Sequence, residues 1–178
     1  MFDAAGPTEL DEPVIAIGVL AERVGLSVSA VRRYEDEGLI ISHRTPSGHR
    51  LFSHEDIGRV RNIQHMIQDL GLNMEGIRRM QALLPCWDLA GCSEETRKTC
   101  RAYRGKTRPC WMTRGRDCAC HEGSRDENAC RYCVVYRLGS LCTEDIKCLL
   151  HDQNDEAANG GTAICERAQR LRSSRQED

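Results

Sequence analysis

The sequence predicts a mainly α-helical fold in which four helices and a short β wing precede a small, irregular cysteine-rich metal-binding module and a helical tail. Apolar residues recur at helical spacing between glycines in the first half, and all 11 cysteines lie at or after Cys86. We therefore predict a disordered arm at 1–13, a helical domain at 14–84, a cysteine-rich module at 85–141, and a weakly helical tail with a disordered end at 142–178.

Composition indicates a soluble, cytoplasmic protein. The formal net charge is −2, so binding to a polyanion would depend on local clusters of arginine. No apolar run is long enough to span a membrane, and the first residues are acidic where a signal peptide would be basic. Because a reducing compartment keeps thiols reduced or metal-bound, the cysteines favour metal binding over disulfides.

Two short helices joined by a glycine turn are predicted near the start of the domain. The apolar stripe of the first helix consists of Ile17, Leu20, Ala21 and Val24. Gly25 supplies the left-handed residue that ends this helix. Ser27 is a good N-cap for the second helix, which Gly38 ends. This arrangement is a helix-turn-helix.

The second helix is predicted to be the one that reads DNA. Its exposed face offers hydroxyl and guanidinium groups suited to phosphates and base edges, on Ser27, Ser29, Arg32 and Arg33. An arginine can bind guanine through two hydrogen bonds. The alternative for these residues alone is an ordinary helical hairpin with two solvated arginines.

Residues 40–52 predict the β wing, which makes the domain a winged helix-turn-helix. Two short extended segments flank a Pro-Ser-Gly turn at 46–48. Arg44 and Arg50 lie on either side of that turn, where a hairpin lying along a duplex would meet the phosphate backbone. Phosphate contact is therefore the predicted role of the two arginines.

Two further helices complete the domain. Ser53 and Asp56 form a predicted capping box that starts the third helix, which Gly71 ends. Asn73 caps the fourth helix, and Pro85 terminates it. The apolar residues of both helices are assigned to the core.

The ordered motifs of this domain resemble those of the MerR family of transcriptional regulators, in particular its heat-shock-repressor-like branch. They are "RRYE" before "GL", the wing "SGHR" before an aromatic residue, and "GLN" at the start of the fourth helix. The resemblance implies that Arg32, Tyr34, Arg44 and Arg50 contact DNA. Arg33 stands where the family usually has an aromatic residue and His49 where it has tyrosine, and both remain among the predicted contacts.

The same resemblance implies a homodimer that binds double-stranded promoter DNA, with each half-site read by one subunit. Family members twist an overlong promoter spacer and so act on RNA polymerase indirectly. They dimerise through a long helix after the fourth helix. Since Pro85 and Cys86 stand at that point here, dimerisation would use the fourth helix, the cysteine module or the tail.

The cysteine-rich module contains an internal near-repeat that begins at each Cys-Trp pair. Cys86-Trp87, Cys92 and Cys100-Arg-Ala-Tyr103 correspond to Cys110-Trp111, Cys118 and Cys133-Val-Val-Tyr136. Cys120 and Cys130 are additional, and Cys130 and Cys133 have the CxxC spacing that chelates a metal. All eight of these cysteines are predicted metal ligands. His121 beside Cys120 is a less favoured candidate.

This spacing resembles the "two-CW" cysteine-rich domain that occurs with bacterial signalling and regulatory proteins. Few aliphatic residues lie between the cysteines, so a metal would supply stability that apolar burial does not. Zinc and an iron-sulfur cluster are both compatible with the spacing, with a slight preference for zinc. Zinc would make the module a scaffold, and a cluster would make it a redox sensor.

Two other function classes stay open for the cysteines. Cys130 and Cys133 could be a thiol-disulfide oxidoreductase pair, although the sequence around them does not resemble a thioredoxin-like fold. A metal-storage or metal-delivery protein is the other alternative. The favoured interpretation is a non-enzymatic regulator whose cysteine-rich module is a metal or redox sensor or a metal-stabilised scaffold.

Overall fold

A computed structural model of the chain describes residues 9–113 and 128–139. These residues belong to the first of two compact units, which spans Met1–Ser140. The predicted tail, residues 1–8 of the predicted arm, Cys118, Cys120 and His121 lie outside the described residues. Within the part of the chain that is described, no helix combines the length and apolar character needed to cross a membrane.

The predicted helix-turn-helix is confirmed. Helix α1 spans Ile17–Arg23 and helix α2 spans Val28–Asp36. The Ser27 side chain caps α2 by accepting a hydrogen bond from the Ala30 amide at 3.1 Å. Gly25 and Gly38 adopt φ angles of 67° and 71°, which explains why glycine follows each helix.

The wing belongs to a three-stranded antiparallel sheet of order β1-β3-β2. Strands β2, His43–Arg44, and β3, Arg50–Phe52, form the predicted hairpin. Strand β1, Ile15–Ala16, pairs with the other edge of β3 and was not predicted. Two residues are too short to show a strand period, and the pairing partners of β1 lie far along the sequence.

Helices α3, His54–Gln68, and α4, Met74–Ala82, follow the wing. The predicted capping box of Ser53 and Asp56 is present in both directions, and the Asn73 side chain caps α4. One apolar core joins the four helices and the sheet. Its most deeply buried side chains include Leu20, Val31, Phe52, Val60 and Ile77.

The cysteine-rich segment is more helical than its predicted irregular character. It contains α5, Cys86–Leu89; α6, Glu94–Thr99; α7, Arg101–Gly105; and α8, Val134–Leu138. Short 3-10 helices occupy Cys110–Met112 and Ala129–Tyr132. Each helix is shorter than two turns, which is too short for an apolar stripe to be read from sequence.

The near-repeat predicted for this segment is visible as matched geometry. Trp87 packs edge-on against Tyr103 with 4.9 Å between ring centroids, and Trp111 packs edge-on against Tyr136 at 5.3 Å. Cys100 and Cys133 are the extended N-cap residues of α7 and α8. The two copies are therefore similar in the placement of their aromatic pairs and of the helix that follows.

Residues 9–13 correct the prediction of a disordered arm. Glu9–Asp11 form a short 3-10 helix, and Asp11 is buried. The Arg137 guanidinium lies 3.7 Å from the Asp11 carboxylate. Because this partner lies in the cysteine-rich segment, local sequence did not indicate that the arm would be held in place.

Candidate nucleic-acid interface

The outward face of α2 carries the predicted reading residues. Ser27, Ser29, Arg32 and Arg33 are all exposed. The Ser27 and Ser29 hydroxyl oxygens lie 2.8 Å apart at the start of the helix, and the two arginines follow one turn later. This face offers two cationic forks and two hydroxyls to a polyanionic partner.

Tyr34 packs against the core on the inward side of α2, and its predicted contact with DNA stays a prediction. Its side chain is 9 % exposed and belongs to the apolar cluster around Leu20 and Val31. Burial raises the pKa of the Tyr34 phenol, while the nearby charge of Arg33 lowers it. The reason is helical phase, since Tyr34 lies three residues after Val31 on the inward side of α2.

Glu35 of α2 joins the helix to both arginines of the wing. Its carboxylate oxygens lie 3.2 Å from an Arg44 Nη and 2.6 Å from the Arg50 Nε. The Ser42 hydroxyl donates to the same carboxylate. We did not predict this role from sequence, where Glu35 counted only as a helix residue.

The shared carboxylate orients the wing arginines without covering them. The Arg44 and Arg50 side chains are 40 % and 30 % exposed, whereas the Glu35 side chain is 12 % exposed. Two guanidinium charges meet one carboxylate, so one positive charge is left over at the surface. The wing therefore presents a net cationic edge that is fixed relative to α2.

His49 lies at the exposed tip of the wing. Its amide donates to the Thr45 hydroxyl at 3.0 Å, and its carbonyl accepts from the Thr45 amide at 3.0 Å. Gly48 takes a φ of 81° between them. These bonds close the turn and leave the imidazole free to face a partner.

The second copy of the near-repeat packs against the base of the wing. The Trp111 indole N–H donates to the Gly38 carbonyl at 2.8 Å, directly after α2. The Ile41 amide donates to the Tyr136 hydroxyl oxygen at 2.8 Å, and the Ile41 carbonyl accepts from Arg131. The cysteine-rich segment therefore contacts the stretch that connects α2 to the wing.

A buried charged cluster strengthens this contact. The Arg131 guanidinium donates to the Asp56 carboxylate at 2.7 Å, and both side chains are 3 % exposed. Arg59 donates to the Tyr136 carbonyl at 2.8 Å and lies over the Tyr136 ring at 3.7 Å. Burial raises the pKa of Tyr136 to about 12, so this phenol is neutral at physiological pH. From sequence, Asp56 is predicted only to cap α3, and its ion pair with Arg131 is not predicted.

Six of the eight predicted metal ligands lie within the described residues. Four of them, Cys86, Cys110, Cys130 and Cys133, pack in or against one apolar cluster that contains Trp111. Within residues 9–113 and 128–139, no three side chains of Cys, His, Asp or Glu converge as a metal site requires. The metal assignment therefore stays a prediction, with Cys118 and Cys120 outside the described part of the chain.

The fold and its exposed cationic face define a winged helix-turn-helix domain. Residues 15–84 match the family described as "MerR HTH family regulatory protein". These residues therefore form a helix-turn-helix domain of the MerR type, as their motifs predicted. The match ends before Cys86, so the resemblance of the cysteine-rich segment to two-CW domains is still a prediction.

Several curated proteins are similar to this domain. Heat shock protein HspR of Streptomyces coelicolor is 40% identical over 76 residues, which are 42% of this chain and 50% of that protein. The HTH-type transcriptional regulator GlnR of Bacillus anthracis is 35% identical over 68 residues, 38% of this chain and 52% of GlnR. The HTH-type transcriptional regulator TnrA of Bacillus subtilis is 39% identical over 59 residues, 33% of this chain and 54% of TnrA. The chain spans about half the length of these relatives.

Proposed function

We propose that this protein is a sequence-specific, DNA-binding transcriptional regulator of the MerR class and has no enzymatic activity. The observation that carries the proposal is the joint placement of the exposed α2 arginines and the two wing arginines, which Glu35 ties to the same helix. The domain-level match to regulatory proteins supports it, as do the names of GlnR and TnrA.

In this proposal α2 enters the major groove of promoter DNA. Arg32 and Arg33 reach base edges, while Arg44 and Arg50 bind backbone phosphates beside the groove. A homodimer would read two half-sites, and distortion of the DNA between them would alter promoter use by RNA polymerase. The fixed geometry between helix and wing supports this, because both elements must meet one duplex together.

The experiment begins by selecting bound sequences from a random duplex pool with the full chain. Affinity for the selected duplex and for unrelated DNA is then measured over a range of salt. We expect Arg32→Ala to cost about 1–3 kcal/mol on the selected duplex and little on unrelated DNA. We expect Arg50→Ala to weaken both and to reduce the salt slope by about 1.

The matched control is Arg79→Ala on α4, since the Arg79 side chain is 65% exposed and belongs to neither α2 nor the wing. It removes the same charge and should leave both affinities near those of the unchanged protein. Equal losses in Arg32→Ala and Arg79→Ala would contradict the assignment of Arg32. Failure of the unchanged protein to enrich any sequence would contradict the proposed function itself.

We further propose that the cysteine-rich segment is a metal or redox sensor, or a metal-stabilised scaffold, for this regulator. Clustering of Cys86, Cys110, Cys130 and Cys133 around Trp111 supports a thiol-rich centre there. The test is to purify the chain without oxygen and to measure zinc, iron and visible absorbance. A brown chromophore that bleaches in air favours an iron-sulfur sensor, and colourless protein with zinc favours a scaffold. Protein without either metal contradicts both.

A further inference from the structure

We propose that residues 128–139, called the brace below, hold the wing in its DNA-binding position, so that the conformation of the Cys130–Cys133 segment regulates DNA binding. The brace comprises the 3-10 helix Ala129–Tyr132, helix α8 and the residues that flank them. This inference rests on the proposed function, because it concerns the regulation of the same site. Its support comes from where the brace bonds to the wing.

The brace first holds the chain just before β2. Both backbone groups of Ile41 bond to it, since the amide donates to the Tyr136 hydroxyl oxygen at 2.8 Å and the carbonyl accepts from Arg131. Ile41 lies outside the sheet, so no β ladder satisfies these groups. Ile41 is partly buried, and backbone groups that lose their partners where water has only limited access are costly, so the position of this stretch depends on the brace.

The brace also covers the outer edge of β2. Strand β2 lies at one edge of the sheet, with β3 on its other side. The Arg44 amide points away from β3 and donates to the Asn128 side-chain oxygen at 3.1 Å. The brace therefore holds the backbone of Arg44, whose side chain pairs with Glu35.

The third attachment lies directly after β3. Arg131 bonds to Asp56, and the same Asp56 oxygen accepts hydrogen bonds from the Ser53 amide and hydroxyl at 2.9 and 3.2 Å. Ser53 immediately follows Phe52, the last residue of β3. The Arg131 guanidinium therefore bonds near both ends of the wing, to the Ile41 carbonyl before β2 and to the Asp56 carboxylate after β3.

These attachments are built on the CxxC sequence. Cys130 and Cys133 bracket Arg131, and Cys133 is the extended N-cap residue of the helix that carries Tyr136. Both cysteines pack in or against the Trp111 cluster. A rearrangement of this segment would displace Arg131 and Tyr136 together. The two bonds on Ile41 and the bond on Asp56 would then be lost at once, while the exposed face of α2 stays unchanged.

Hydrogen exchange of the full chain, followed by mass spectrometry, tests the brace without DNA. Tyr136→Phe removes the hydroxyl that accepts from Ile41 and keeps the ring over which Arg59 lies. We expect amides of residues 39–52 to exchange about tenfold faster and those of α1 and α2 to change little. Arg131→Lys keeps the charge but cannot reach both acceptors as a planar fork, and it should act in the same direction.

Arg137→Ala is the matched control, since Arg137 lies on the same helix and its ion pair is with Asp11. It should leave exchange in the wing unchanged. We also expect Tyr136→Phe to weaken binding to the selected duplex about tenfold, with a smaller salt slope, because the loosened wing contributes less phosphate contact.

The outcomes separate the two proposals. If the unchanged protein binds its selected duplex but neither variant alters exchange at 39–52, the brace is overturned and the proposed function stands. If the unchanged protein enriches no DNA, the proposed function fails, while exchange still reports whether the brace holds the wing. Loss of the folded state in both variants would also overturn the proposal. The bonds of the brace would then be required for folding of the whole domain and would not act on the wing alone.

Discussion

Glu35→Gln is the substitution that examines the link between α2 and the wing most directly. It keeps the size of the side chain and removes the charge shared by Arg44 and Arg50, whose nearest nitrogens lie 3.2 and 2.6 Å from the carboxylate. Two opposite effects are expected. Folding loses two ion pairs, and the wing gains one uncompensated positive charge.

The magnitudes follow from exposure and charge. The two arginine side chains are 40% and 30% exposed, so each pair contributes about 0.2–1 kcal/mol after screening. With the weakened Ser42 hydrogen bond, we expect unfolding free energy to fall by about 1–2 kcal/mol. One released guanidinium adds about one phosphate contact, which steepens the slope of log K against log salt by about 0.9.

The assay is fluorescence polarisation with an unrelated duplex over a series of salt concentrations, together with urea unfolding. Glu75→Gln on α4 is a matched control, because Glu75 also bonds to two arginines, Arg78 and Arg79. It makes the same change in net charge. We expect it to leave the salt slope near that of the unchanged protein.

An unchanged or shallower slope in Glu35→Gln would refute the reasoning, since the wing arginines would then not reach phosphate. An equal change in Glu75→Gln would refute it in another way. The effect would then come from net charge and not from the position of the wing.

Three further expectations concern stability. Asp56→Asn leaves Arg131 buried without its charge partner, and urea titration should show a loss of about 3–5 kcal/mol; a loss well below 1 kcal/mol would count against the buried pair. Burial raises the pKa of Tyr136 from 10.0 to about 12, so the neutral phenol contributes fully to the free energy of unfolding below pH 10. This contribution, about 3 kcal/mol, is lost as the pH rises through 12. If the free energy of unfolding of Tyr136→Phe falls as steeply over this pH range as that of the unchanged protein, the prediction is contradicted. Gly38→Ala would place a Cβ 2.5 Å from the Met112 Cε, at a residue whose φ is 71°. We expect the midpoint of thermal unfolding to fall by several degrees, and an unchanged midpoint would contradict close packing at this position.

Local signals in the sequence were sufficient for the helices of the N-terminal domain. Ser27, Ser53 and Asn73 each mark the start of a helix, and each accepts a hydrogen bond from the amide three residues later. Gly25 and Gly38 mark ends, and both adopt positive φ. Such caps are decided within one turn of chain, which is why they can be predicted without a structure.

The parts that could not be predicted depend on contacts between distant residues. Arg131 and Asp56 are 75 residues apart, and nothing local distinguishes Arg131 from the other arginines around it. The burial of Tyr34 was open to prediction from its spacing to Val31, but the family resemblance favoured a DNA contact. Glu35 gave no signal, because its two partners are set by how the wing folds back.

The near-repeat lies between these cases. Sequence alignment of the two Cys-Trp segments predicted their correspondence, and the two Trp-Tyr pairs show the same edge-on geometry. It did not predict that the copies have different surroundings. Trp111 is 5% exposed, and its indole N–H donates a hydrogen bond to the Gly38 carbonyl. The Trp87 ring centroid, in contrast, lies 5.0 Å from the Lys106 ammonium nitrogen. Duplication can be read from spacing, but a division of roles between the copies cannot.

The Gln81 side chain on α4 donates a hydrogen bond to the Gly139 carbonyl at 2.9 Å. This bond matters for the evolution and the engineering of the domain boundary. Together with the buried Arg59 it means that a fragment ending at residue 84 would expose polar groups that the rest of the chain normally satisfies. Exchange of the C-terminal half between regulators would therefore carry a folding penalty. The winged helix-turn-helix domain and the cysteine-rich segment should therefore be transferred and expressed together.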